Sequence, residues 1–251
     1  AALTNFSMGL LYCWALFAAP VADELGVQRS AVAAVPALAL VAFTIGVNLY
    51  RPLAHRIGAQ RSAMLVFGCA VLGLGLVAAF PSLPVTFIGF GAIFGIASGL
   101  GYGQAFALAN ITPPAVRSFS IGMCMTSFAL TAIVLTFVVD TLLERFGLQA
   151  TFVVLAAGIA CLGLLVVLLL RMPLGENASF ASQSGGAATF PLELYPVAIA
   201  FFVFCFAGLA VMANSSLLLR DFNVAPSLAN KADAVFNGAY LVATVAGATL
   251  D

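Results

Sequence analysis

Arg51-Pro52-Leu53-Ala54-His55-Arg56-Ile57-Gly58-Ala59-Gln60-Arg61 gathers three arginines and the single histidine of the chain into one short stretch, with a long apolar run on either side. Charged residues are only 7% of the whole, so such a concentration marks a boundary. Apolar runs of about 20 residues are the length of a membrane-spanning helix. The stretch therefore reads as a tight basic loop between two spans, and the excess of arginine places it on the cytoplasmic side. Its form returns weakly at the far end, where Gly247-Ala248-Thr249-Leu250-Asp251 follows a later pair of apolar runs.

Composition fixes the class. Hydrophobic residues make up 63% of the chain and the mean hydropathy is +1.16, beyond the range of a soluble domain. The formal net charge is +0, which supplies no basic stripe for nucleic acid. Cys13, Cys69, Cys124, Cys161 and Cys205 stand singly inside apolar runs, without disulfide or metal-site spacing, and read as packing residues. Neither a cofactor nor a metal is expected.

Eight spans are expected, over residues 3–21, 30–50, 62–80, 84–110, 116–139, 150–171, 193–214 and 232–250. The polar stretch from Leu174 to Thr189 divides them. The expected organisation is a six-helix bundle over 1–172, a cytoplasmic linker over 173–191, and the start of a second bundle over 192–251. The fold class is all-α and polytopic.

Spans three and six carry almost no polar side chain and read as scaffold. The others hold Asn5, Tyr12, Asn48, Gln104, Asn110, Ser127, Thr131, Asn214, Asn237 and Tyr240. Polar groups in hydrocarbon are costly unless they face protein or water, so these six spans line an interior. Asn5, Met8 and Tyr12 stand at i, i+3 and i+7 and are expected to share one helix face, as are Asp233, Asn237, Tyr240 and Thr244. Each such residue serves either as interhelical glue or as cavity lining. Trp14 is turned about 200° from Tyr12 on an ideal α-helix, so Tyr12 is the stronger cavity candidate. Gly91, Gly95, Gly99 and Gly103 recur every four residues in span four, a stripe that admits close helix packing.

The stretch from Arg51 to Arg61 resembles the loop signature G-x-L-x-D-R-x-G-R-R of the major facilitator superfamily. Pro52, Leu53, Ala54, Arg56, Ile57 and Gly58 fit it. Arg51 stands where the family has Gly, His55 where it has Asp, and Ala59-Gln60 where it has basic residues. The resemblance implies a cytoplasmic gating motif formed by Pro52, His55, Arg56, Gly58 and Arg61, with a second copy at Gly247 and Asp251. It further implies two parallel six-helix halves, so the present residues are expected to be spans one to eight of twelve. Tyr12-Cys13-Trp14-Ala15-Leu16-Phe17 and Gly99-Leu100-Gly101-Tyr102-Gly103 resemble the oxalate/formate antiporter and monocarboxylate transporter group.

Together these readings give a secondary transporter of the bacterial inner membrane, monomeric at full length. Its expected substrate is a small organic anion, moved by exchange or facilitated transport. Substrate is expected to meet Asn5, Tyr12, Trp14, Tyr102, Gln104, Asn214, Asn237 and Tyr240. Export of a neutral or amphipathic compound is the alternative, and a non-transporting receptor or sensor on the same fold is the alternative of another class. The spans hold no nucleophile–base pair, paired acids or metal ligands, so an enzyme is not expected.

Overall fold

The structure, a computed structural model, describes residues 1–170 and eight helical positions between 195 and 242. The linker, the second bundle, Asn214, Asn237, Tyr240, Gly247 and Asp251 lie outside the described residues, apart from those isolated positions. Among the described residues every element is helical. Four stretches have membrane-spanning length and apolarity: Ala2–Leu25, Arg29–Ala79, Leu83–Asn110 and Pro114–Leu169.

Two of the four are pairs of helices joined end to end. Arg29–Ala79 breaks at Gly58, where φ is 81° and ψ 163°; Pro114–Leu169 breaks at Gly147, where φ is 76° and ψ 179°. That backbone region is open essentially to glycine alone. The breaks give six spans, named here α1 (Ala2–Leu25), α2 (29–57), α3 (59–79), α4 (Leu83–Asn110), α5 (114–146) and α6 (148–169).

This corrects the loop expected over 51–61. Helical structure continues through Pro52 and His55 to Ile57 and restarts at Ala59. Arg51, Leu53, Ala54 and Arg56 are good helix formers, so α2 continues past the apolar run despite Pro52 and a single glycine suffices to reverse the chain. The loop expected between residues 139 and 150 shrinks in the same way to Gly147.

The core runs between α1, α3, α4 and α6, with Phe17, Phe90, Phe94 and Phe152 at most 1% exposed. Close approach of α4 to α2 depends on its glycines. A Cβ on Gly95 would lie 2.8 Å from the Ala39 carbonyl oxygen, and one on Gly99 would overlap the Phe43 carbonyl. Gly91 faces Leu38 and Gly103 faces the Tyr50 ring, so all four glycines of the stripe lie against α2.

Within α1 the winding changes. Ala2–Met8 and Trp14–Leu25 are α-helical, while Gly9–Cys13 between them is a 3₁₀ helix. Three residues per turn carry Tyr12 about 80° further round the axis from Met8 than α-winding would. The single face expected for Asn5, Met8 and Tyr12 is thereby divided: Asn5 and Met8 are 0% exposed and Tyr12 is 36% exposed.

Candidate functional site

Four buried polar side chains reach across to other helices. Asn5 of α1 donates its Nδ2 to the Cys124 carbonyl of α5 at 2.6 Å, and Ser98 of α4 donates to the Met8 carbonyl of α1 at 3.0 Å. Gln104 of α4 donates its Nε2 to the Ala59 carbonyl, 3.0 Å away at the start of α3, and so bolts the Gly58 turn to the end of α4. Thr131 of α5 donates to the Phe6 carbonyl of α1. Asn48 and Asn110 instead satisfy carbonyls of their own helices, Thr44 at 2.8 Å and Phe106 at 2.9 Å. Each bond of this kind contributes roughly 0.6 kcal/mol in a membrane bundle, so their combined effect is to fix helix rotation.

With rotation fixed, aromatic rings from four helices meet on one partly exposed face. Tyr102 of α4 is the hub. Its ring centroid lies 5.4 Å from Phe43 of α2, 4.6 Å from Phe106 of α4 and 5.7 Å from Phe128 of α5. Phe128 in turn stands edge-on to Tyr12 of α1, at 5.1 Å and 82°. Edge-to-face pairing sets the positive rim of one ring on the negative face of the next. Phe43, Tyr102 and Phe106 are half-buried and Tyr12 is 36% exposed, so part of the array lies at the surface.

Trp14 belongs elsewhere. It is 4% exposed and packs 4.6 Å from Phe90 and 6.5 Å from Phe17, inside the bundle. Of the expected substrate residues among the described ones, the structure therefore brings together Tyr12 and Tyr102. It places Asn5, Trp14 and Gln104 in helix packing behind them. Phe43, Phe106 and Phe128 were not singled out from sequence. The chain has 22 phenylalanines, and no spacing distinguishes these three.

The wall is uncharged. All described acidic and basic side chains, from Asp23 and Glu24 to Glu144 and Arg145, stand at or near span ends. Among the described residues no group of His, Cys, Asp and Glu has the makings of a metal site. The motif residues Pro52, His55, Arg56, Gly58 and Arg61 are exposed at the α2–α3 end, apart from the aromatic face.

Six apolar spans of membrane-crossing length, joined by short turns and tied together by side-chain hydrogen bonds, define an integral multi-pass membrane protein. A model of the Major Facilitator Superfamily matches residues 1–250, and the chain belongs to that superfamily. The uncharacterized MFS-type transporter YhjX of Escherichia coli (strain K12) is 28% identical over 157 residues, which are 62% of this chain and 39% of that protein. Among solved structures, the proton:xylose symporter XylE bound to 6-bromo-6-deoxy-D-glucose matches with a TM-score of 0.53 at 17% identity, over 67% of this chain and 43% of that one. At that identity the likeness shows the fold alone. The chain spans about two-fifths of the length of both relatives.

Proposed function

We propose that this chain forms one wall of a secondary transporter working by alternating access, with the aromatic face around Tyr102 turned toward the substrate. The observation that carries the reading is the convergence of α1, α2, α4 and α5 on that one face, with no acid or base among its described residues. A ring array of this kind takes up the carbon skeleton of a small molecule. Any charge on the substrate is then read by the opposite bundle.

The substrate class we favour is a small organic anion, a mono- or dicarboxylate, moved by exchange or facilitated transport. It is supported by the resemblance of residues 12–17 and 99–103 to the oxalate/formate and monocarboxylate group. The bacterial inner membrane is the location proposed, with the 51–61 stretch and the linker in the cytoplasm. An acid near the middle of a described span would favour proton coupling; the described acids, Asp23, Glu24, Asp140 and Glu144, stand toward span ends instead. Gating is assigned to the exposed motif turn at Gly58, with Gln104 tying it to α4.

The test is uptake of a labelled carboxylate panel by proteoliposomes holding the full-length protein. Saturable uptake of one member, accelerated by preloading with unlabelled carboxylate, is the expected result, and Tyr102→Ala reduces it about tenfold or more. Absence of saturable flux across the panel would sink the anion assignment. A second reading, export of a neutral or amphipathic compound, is favoured by the uncharged aromatic character of the wall. It predicts efflux of such a compound by the same vesicles with no response to carboxylate.

A further inference from the structure

The break at Gly147 repeats the break at Gly58 in more than backbone angle. Arg56-Ile57-Gly58-Ala59-Gln60-Arg61-Ser62 and Arg145-Phe146-Gly147-Leu148-Gln149-Ala150-Thr151 share Arg, Gly, Gln and a hydroxyl residue at the same four places. Ser62 Oγ donates to the Gly58 carbonyl at 2.8 Å, and Thr151 Oγ1 donates to the Gly147 carbonyl at 2.7 Å. In both turns the glycine is exposed and the hydroxyl residue is buried. A Cβ at either glycine would meet nothing within 4 Å, so backbone conformation alone demands glycine there.

The two turns lie at opposite ends of the bundle. Gln104, near the C-terminal end of α4, reaches Ala59 beside the first turn. Leu148 and Gln149 of the second turn line a small cleft with Pro81 and Thr86, at the opposite end of α4, and with Val21 and Leu25 at the end of α1. One difference is systematic. Arg51 and His55, on the approach to the first turn, are replaced at the matching places by Asp140 and Glu144 on the approach to the second.

We propose that the turn at Gly147 is a second gating turn, the opposite-face counterpart of the turn at Gly58. It holds α5 and α6 end to end as the first holds α2 and α3, and presents the other end of the bundle to the second half of the protein with the approach charge reversed. The proposal rests on the gating role assigned above to the stretch around Gly58. Each turn then stabilises the state in which its own end of the transporter is closed, so weakening one favours opening at that end and closure at the other.

Hydrogen–deuterium exchange on the full-length protein in lipid nanodiscs tests this. Residues 111–113, between α4 and α5, report the Gly58 end; residues 80–82, between α3 and α4, report the Gly147 end. Gly58→Ala is expected to speed exchange at 111–113 and slow it about threefold at 80–82, and Gly147→Ala to do the reverse. The decisive signal is protection at the far end, because local fraying of a damaged turn raises exchange only nearby. Where an alanine variant fails to fold, the exposed Arg56→Gln and Arg145→Gln give the same reciprocal pattern at smaller amplitude. Exchange raised at the altered turn with the far end unchanged overturns the proposal, as do shifts of the same sign at both ends. Reciprocal protection in a protein that carries no carboxylate removes the substrate assignment and leaves the paired gates standing.

Discussion

This bundle holds two groups of five rings. Trp14, Phe17, Phe90, Phe94 and Phe152 form a chain of contacts through α1, α4 and α6, with centroid separations from 4.6 to 6.5 Å and no ring more than 4% exposed. Tyr12, Phe43, Tyr102, Phe106 and Phe128 form a second chain through α1, α2, α4 and α5, at 4.6 to 5.7 Å, with Tyr12 reaching 36% exposure. The ring separations are similar, so stacking itself does not separate the core from the proposed substrate face. The buried group is Trp14 with four phenylalanines, whereas the open group includes Tyr12 and Tyr102 and ends at the bundle surface. Tyr12 and Trp14 are two residues apart and enter different groups, because the 3₁₀ segment and the turn of the helix send them to opposite sides.

The largest effect that bears on this contrast is expected at Phe90, which is 0% exposed and touches both Trp14 and Phe94. Phe90→Ala leaves a cavity and costs about 3–5 kcal/mol of stability, read as a lower thermal midpoint in detergent. Tyr102→Ala is expected to cost clearly less stability and, under the proposed function, to act mainly on transport. Equal loss of stability at the two positions would erase the distinction between the groups.

Next comes the close approach that brings Phe43 toward Tyr102. Gly99→Ala drives a methyl group into the Phe43 carbonyl and is expected to cost about 1–3 kcal/mol. Gly75→Ala in α3 meets nothing within 4 Å and serves as the control, with stability unchanged or slightly raised. A neutral Gly99→Ala would mean that α2 and α4 have room to part, and the ring array would lose its frame.

Smaller still is the loss at Ser98, whose hydroxyl donates to the Met8 carbonyl at 3.0 Å. Ser98→Ala should lower stability by roughly 0.6 kcal/mol, measurable by thermal unfolding of purified protein. The smallest effect is expected at Trp14. Its buried Nε1 has no hydrogen-bond partner, so Trp14→Phe removes an unsatisfied polar group and leaves stability equal or higher. Transport by this variant should stay within about twofold of the parent. A tenfold fall would return Trp14 to the substrate wall and merge the two groups.

Much of the frame was legible in the sequence. The apolar run lengths marked the first six spans, and Gly58 lies inside the stretch read as a turn, because a reversal in one residue requires a backbone that only glycine adopts. Helical periodicity also separated Tyr12 from Trp14. The same periodicity misplaced Tyr12 relative to Asn5 and Met8, since it assumes uniform α-winding and the chain tightens at Gly9–Cys13. Gly147 escaped notice because its surroundings lack the cluster of arginines that makes the first turn conspicuous.

By itself, then, the sequence determined that the chain crosses a membrane repeatedly, where its first spans lie, and that the described middle of those spans carries no charge. These follow from composition and run length, which no packing arrangement alters. Only the tertiary structure decided which aromatic rings face outward together. Ring contact depends on helix rotation and separation to within an ångström or two. In this protein those are set by side-chain bonds between distant residues, such as Asn5 to Cys124 and Gln104 to Ala59, and by the glycines that let α2 and α4 touch.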